Sequence, residues 1–183
     1  RSADVDLAVL RCVTGAFAYS GQVCISVQRI FVHEELWDAF TRRFTEAAAA
    51  LKLGDPLDPA TDLGPMVDLA AARRTQEWID EAHAMGARVL LGGAADGSFF
   101  PPTILADVPA AARVCREEAF APVVVLAPFH EFDDAVRRLS LLFALGALAW
   151  AFRDRILVSL PLGLLSAAAV LAHPGGPGRG TLF

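Results

Sequence analysis

The chain has 183 residues, a length that suits one ordinary domain, and a formal net charge of −5. That acidic balance, with no long Lys/Arg run, excludes a general nucleic-acid surface. Apolar residues make up 55%, ample for a core, and the three cysteines, Cys12, Cys24 and Cys115, are widely spaced with no Cys-x-x-Cys pair. This usage disfavours a disulfide scaffold and a zinc site, and fits a reducing, cytoplasmic setting.

The sequence opens at Arg1 without a charged-then-apolar leader, so no signal peptide is visible and a fragment or processed chain is the expectation. Residues 4–19, "DVDLAVLRCVTGAFAY", space Leu7, Leu10, Val13 and Phe17 as one face of a helix, with Cys12 alongside. Gly21 follows, where a helix C-terminus often takes a left-handed residue. "ISVQRIFVH" (25–33) is rich in β-branched residues and predicts a strand over 27–33. "EELWDAFTRRFTEAAAALKLG" (34–54) carries Leu36, Phe40, Phe44, Ala48 and Leu51 on one stripe, opens with acids and closes with Gly54, which predicts an amphipathic helix over 34–52. "DPLDPATDLGP" (55–65) is a loop. A second amphipathic helix is expected from an N-cap at Asp68 to a stop at Gly86.

Short strands are expected within 87–93 and 97–108. "APVVVLAPF" (121–129) is a continuous apolar run, as in a strand buried on both faces. Another helix is expected to start at "EFDDAVRRLSLL" (131–142). Strands alternating with helices predict an α/β fold with a mostly parallel sheet. The composition then changes. Residues 139–152 and 156–172 carry no charge, and the chain ends in the Gly/Pro-rich "HPGGPGRGTLF", expected to be disordered. A membrane span needs about 20 apolar residues. These runs are shorter and Pro161 interrupts the second, so a membrane hairpin is disfavoured.

A lone cysteine in apolar surroundings is most often core. Cys12 fits that description, and Cys115, in "ARVCREEAF", has no nearby histidine and is expected to be structural. Cys24 differs in its place. It follows a glycine and a polar Gln between a helix and a strand, a junction able to present a thiol and its own backbone N–H. A helix C-terminus does not lower a thiol pKa, so any activation must come from elsewhere. None of the four histidines has a diagnostic spacing from Cys24.

"FAYSGQVC" (17–24) resembles the active-site cysteine segment of the NAD(P)-dependent aldehyde dehydrogenase superfamily. So, in order, do "ADVDLAV" (3–9), "LKLGDPLDPATDLGPM" (51–66), "FFPPTIL" (99–105) and "REEAFAPVVVLAPF" (116–129). The resemblance covers about residues 3–138. It implies an aldehyde dehydrogenase-like catalytic domain, truncated, with a mostly parallel sheet flanked by helices. It implies that Cys24 is the nucleophile, which attacks an aldehyde to give a thiohemiacetal. Oxidation by NAD or NADP then leaves a thioester that water hydrolyses to the acid. Glu118 aligns with the residue that holds the nicotinamide ribose, and Phe120 with the aromatic near the nicotinamide. Without the resemblance, the Glu117–Glu118 pair is an ordinary solvated turn. The stretch "GQVCISVQRI" is similar to members that handle small polar or phosphorylated aldehydes, and a homo-oligomer is implied for the full-length family.

There are departures. The family's water-activating glutamate, its oxyanion-site amide and its dinucleotide domain all align upstream of Arg1. The chain alone is therefore expected to be inactive. Tyr19 stands where many relatives carry Asn. Ala121 replaces the usual Gly before Pro122, which is expected to disturb the turn near Glu118. The expected organisation is a partial catalytic domain over 1–138 and a divergent apolar tail over 139–183, which a truncated or frameshifted gene would explain. The alternative is a non-catalytic remnant that binds other subunits, or a protein that meets a membrane through its tail.

Overall fold

The computed structural model describes residues 4–132. The helix expected over 131–142 lies outside them beyond residue 132, as does all that is expected of 139–183. Helix α1 (Val5–Phe17) starts on Asp4, whose carboxylate accepts from the N–H groups of Asp6 and Leu7. Strand β1 (Arg29–His33) leads into α2 (Glu34–Ala49), with the His33 ring capping its first turn. Helix α3 (Leu69–Ala84) has Asp68 as its N-cap, as predicted, and Gly86 beyond its end with φ +103°. Then come β2 (Arg88–Leu91), β3 (Thr103–Ala106), a single helical turn α4 (Arg113–Arg116) and β4 (Val123–Phe129).

The sheet order is β1-β4-β3-β2. β4 pairs parallel with both β1 and β3, and only the β3–β2 pair is antiparallel. The last strand in the described sequence is thus a central one, and Val123–Leu126 are all buried. Side chains alternate between the sheet faces. Leu105, Val123 and Val125 join one core with Ile79, Ala82 and Phe100, under α3. Ile104, Val124 and Leu126 join the other with Val13, Phe17, Phe40 and Phe44, under α1 and α2. Phe44 stacks on both Phe17 and Phe40, with ring centroids 6.0 and 5.4 Å apart.

Two boundaries differ from expectation. α2 ends at Ala49, short of the predicted end at 52. The Asp62 carboxylate takes the Lys52 N–H at 2.8 Å, and the Lys52 carbonyl accepts from Asp62 and Leu63, so residues 52–54 are drawn into the loop. β1 starts at Arg29 rather than 27, because the Val27 N–H is held by the Gly15 carbonyl of α1 instead of a strand. The turn α4 had no signature in the pattern. It is fixed to α3 by Arg113, whose guanidinium pairs with Glu81 and lies 5.7 Å from the Trp78 ring centre. No helix among the described residues is long and apolar enough to cross a membrane.

Candidate active site

α1 ends at Phe17, and the chain reverses through a tight left-handed stretch. Tyr19 and Ser20 have φ of 54° and 55°, and Gly21 has φ 68°. Side chains rarely adopt this region, at a cost of about 1–2 kcal/mol per residue. Burial and hydrogen bonding hold it here. Ser20 is buried and its hydroxyl donates to the Gly64 carbonyl at 2.8 Å. Gly21 sits against the Ala121 carbonyl so closely that a Cβ there would lie 2.0 Å from the oxygen. Glycine is required on both counts.

Cys24 follows in a turn closed by the Ser26 N–H donating to the Val23 carbonyl at 3.0 Å. The thiol is exposed, and so is Ile25, at 82%. Among the described residues no acceptor takes the Cys24 N–H. The turn is tied down on both sides. Before it, the Gln22 amide oxygen accepts from the Val67 N–H at 2.8 Å, and its nitrogen reaches the Pro65 carbonyl at 3.5 Å. After it, Val27 N–H donates to the Gly15 carbonyl at 2.9 Å, which anchors the return to α1. Gln28 then bonds twice to the 119–125 stretch. Its carbonyl accepts from Val125 N–H at 2.9 Å, and its side-chain oxygen from Ala119 N–H at 3.3 Å.

The stretch that carries Glu118 and Phe120 is thereby docked on the cysteine segment. Glu118 is exposed, Ala119 buried and Phe120 41% exposed. This alternation turns the carboxylate and the ring outward together. Ala121 does not disturb the turn, contrary to expectation. It is fully buried and is not among the residues with positive φ, so a methyl is accommodated. Cys12 and Cys115 are both half-buried against the two cores. Burial raises both thiol pKa values, opposed at Cys115 by the positive charge of Arg29.

The sequence-based reading missed Ser20, Gln22 and Gln28 as the groups that hold the turn. Gln22 was visible as half of a Gly-Gln pair, and Gln28 as the one amide in a β-branched run. Their partners lie 44, 45 and 91 residues away, beyond any local pattern.

The molecule is thus an α/β protein in which a helix-to-strand junction displays an exposed cysteine and is hydrogen-bonded, through Gln28, to a Glu-x-Phe stretch. The aldehyde dehydrogenase family profile matches residues 1–151, and the chain belongs to that family. The 3-sulfolactaldehyde dehydrogenase of Priestia aryabhattai is 41% identical over 140 residues, covering 76% of this chain and 29% of that enzyme. Aldehyde dehydrogenase 21 from Physcomitrella patens, solved in complex with the reaction product succinate, superposes with a TM-score of 0.73 at 41% identity. The match covers 74% of this chain and 28% of that one. Glyceraldehyde-3-phosphate dehydrogenase GapN from Methanocaldococcus jannaschii, complexed with NADP, gives 0.69 at 39% identity, over 72% and 28%. The chain spans less than a third of the length of these relatives.

Proposed function

We propose that this chain carries the nucleophile, and one edge of the cofactor site, of an enzyme that oxidises an aldehyde to a carboxylic acid with NAD(P)+. The observation that carries the reading is the pinned turn: an exposed Cys24 thiol with an open N–H, docked against the stretch that carries Glu118 and Phe120. The Cys24 sulfur adds to the aldehyde carbon to form a thiohemiacetal. The Cys24 N–H donates to the oxyanion created in that step. Oxidation leaves a thioester on the same sulfur, and water releases the acid.

Glu118 and Phe120 fit the nicotinamide end of the dinucleotide. The carboxylate accepts from ribose hydroxyls and the exposed ring offers an apolar face. When bound, the dinucleotide supplies the hydride acceptor. Residues 1–138 form the partial catalytic domain and 139–183 a divergent tail. Three free thiols fit a cytoplasmic setting, and the full-length enzyme is a homo-oligomer. A small aldehyde is the substrate.

The test pairs alkylation by iodoacetamide, read by peptide mass, with NAD(P)H absorbance on several aldehydes. Cys24 is expected to label first, and the 183-residue chain alone to show no turnover. Labelling of Cys12 or Cys115 ahead of Cys24 overturns the nucleophile assignment.

A further inference from the structure

We propose that Gln28 is a positioning residue, whose side-chain amide oxygen sets the facing of Glu118 and Phe120 relative to the cysteine turn. The inference rests on the reading of Cys24 as nucleophile and Glu118 as ribose ligand, and adds the part that joins them. Gln28 is bonded at two levels. Its carbonyl takes the Val125 N–H, which is an extension of the sheet ladder and independent of the side chain. Its side chain reaches past the sheet to the Ala119 N–H. Ala119 is buried to 6% relative exposure, between two exposed neighbours. Holding its N–H inward therefore decides which way residues 118 and 120 turn. The backbone between α4 and β4 has no strand partner over 117–120, so nothing in the sheet ladder sets that facing.

Among the described residues only the oxygen of the amide is hydrogen-bonded. A carboxylate at position 28 keeps an acceptor, and a thioether of the same length does not. Hydrogen exchange of the Ala119 amide, normalised to that of Val125, separates the two bonds. In Gln28→Met the ratio of exchange rates is expected to rise about fivefold, as expected for one hydrogen bond lost. In Gln28→Glu it returns to within twofold of the wild type. An unchanged ratio in Gln28→Met, or no recovery in Gln28→Glu, overturns the proposal. If Gln28→Met does not fold, Gln28→Asn, whose shorter amide falls short of Ala119, is measured in its place.

The functional arm uses nicotinamide mononucleotide at millimolar concentration, which offers the nicotinamide ribose without the adenosine half. It is expected to change the alkylation rate of Cys24 at least twofold in the wild type and in Gln28→Glu, but not in Gln28→Met. No effect in the wild type, with the exchange result intact, overturns the ribose role of Glu118 and still supports Gln28 as the residue that sets its facing. An effect that persists in Gln28→Met overturns the proposal.

Discussion

Cys24 differs from the other two cysteines in access. Cys12 and Cys115 are packed against the cores, and burial holds both as neutral thiols to higher pH. Alkylation at pH 8 is expected to modify Cys24 on the order of tenfold faster than either. Comparable rates at the three sites would show that the pinned turn confers no selective access. Two neighbours carry stability predictions of opposite sign. Tyr19 holds a left-handed φ of 54° while its side chain is 80% exposed, so the ring contributes little packing. Asn enters that region readily, and Tyr19→Asn is expected to stabilise by about 0.5–1 kcal/mol, a rise in thermal midpoint of about 2–4 °C. Gly21→Ala places a methyl 2.0 Å from the Ala121 carbonyl and strains φ as well. It is expected to cost about 3 kcal/mol or more, measured by urea denaturation, and to expose the cysteine segment.

At the scale of elements, α4 is joined to α3 by hydrogen bonds to one residue, Glu81. The side chain of Arg113 donates to Glu81, and its backbone N–H donates to the same carboxylate at 3.1 Å. These two bonds hold the Glu81 carboxyl below its ordinary pKa in the folded protein. A carboxylate whose folded value is depressed contributes stability above its unfolded value, and loses it as pH falls through the folded one. The difference in urea midpoint between wild type and Glu81→Gln should therefore be constant from pH 7 to about pH 5, then shrink below about pH 4.5. A difference that grows toward low pH would refute the assignment. The same elements show what local pattern can convey. α2 and α3 were legible because their apolar stripes and caps are written within a few residues of each other. The ends of α2 and β1 were not, because Lys52 answers to Asp62 and Val27 to Gly15. α4 is one turn long, and its reason to exist is a side chain on another helix. The candidate site divides in the same way. The motif resemblance named Cys24, Glu118 and Phe120, but what holds them together is long-range.

For the whole molecule, the described α/β unit stands on two cores, one on each face of the sheet. The uncharged runs 139–152 and 156–172 follow it in sequence. Truncation after Arg138 is expected to raise soluble yield, since long uncharged apolar segments promote association, and to leave the far-ultraviolet circular dichroism of an α/β protein. Loss of that signal on truncation would show that the later residues belong to the fold.

The placement of β4 bears on how the protein is made. It is the last strand of the described sequence, yet it separates β1 from β3. Until β4 has left the ribosome, β1 lacks its neighbour among the described strands, and β3 pairs there with β2 alone. Each then offers an open flank to any other chain in the same state. Gly21 and Gln28 meet their partners only when residues 119–125 have also been synthesised. The contacts of the cysteine segment with residues 119–125 are therefore set late, and a chain stopped short of residue 119 would carry the thiol on a segment held through Gly15, Gly64 and Val67. Synthesis that pauses there should yield aggregates rather than a smaller folded unit, and a chaperone that shields strand flanks would be needed longest at that point.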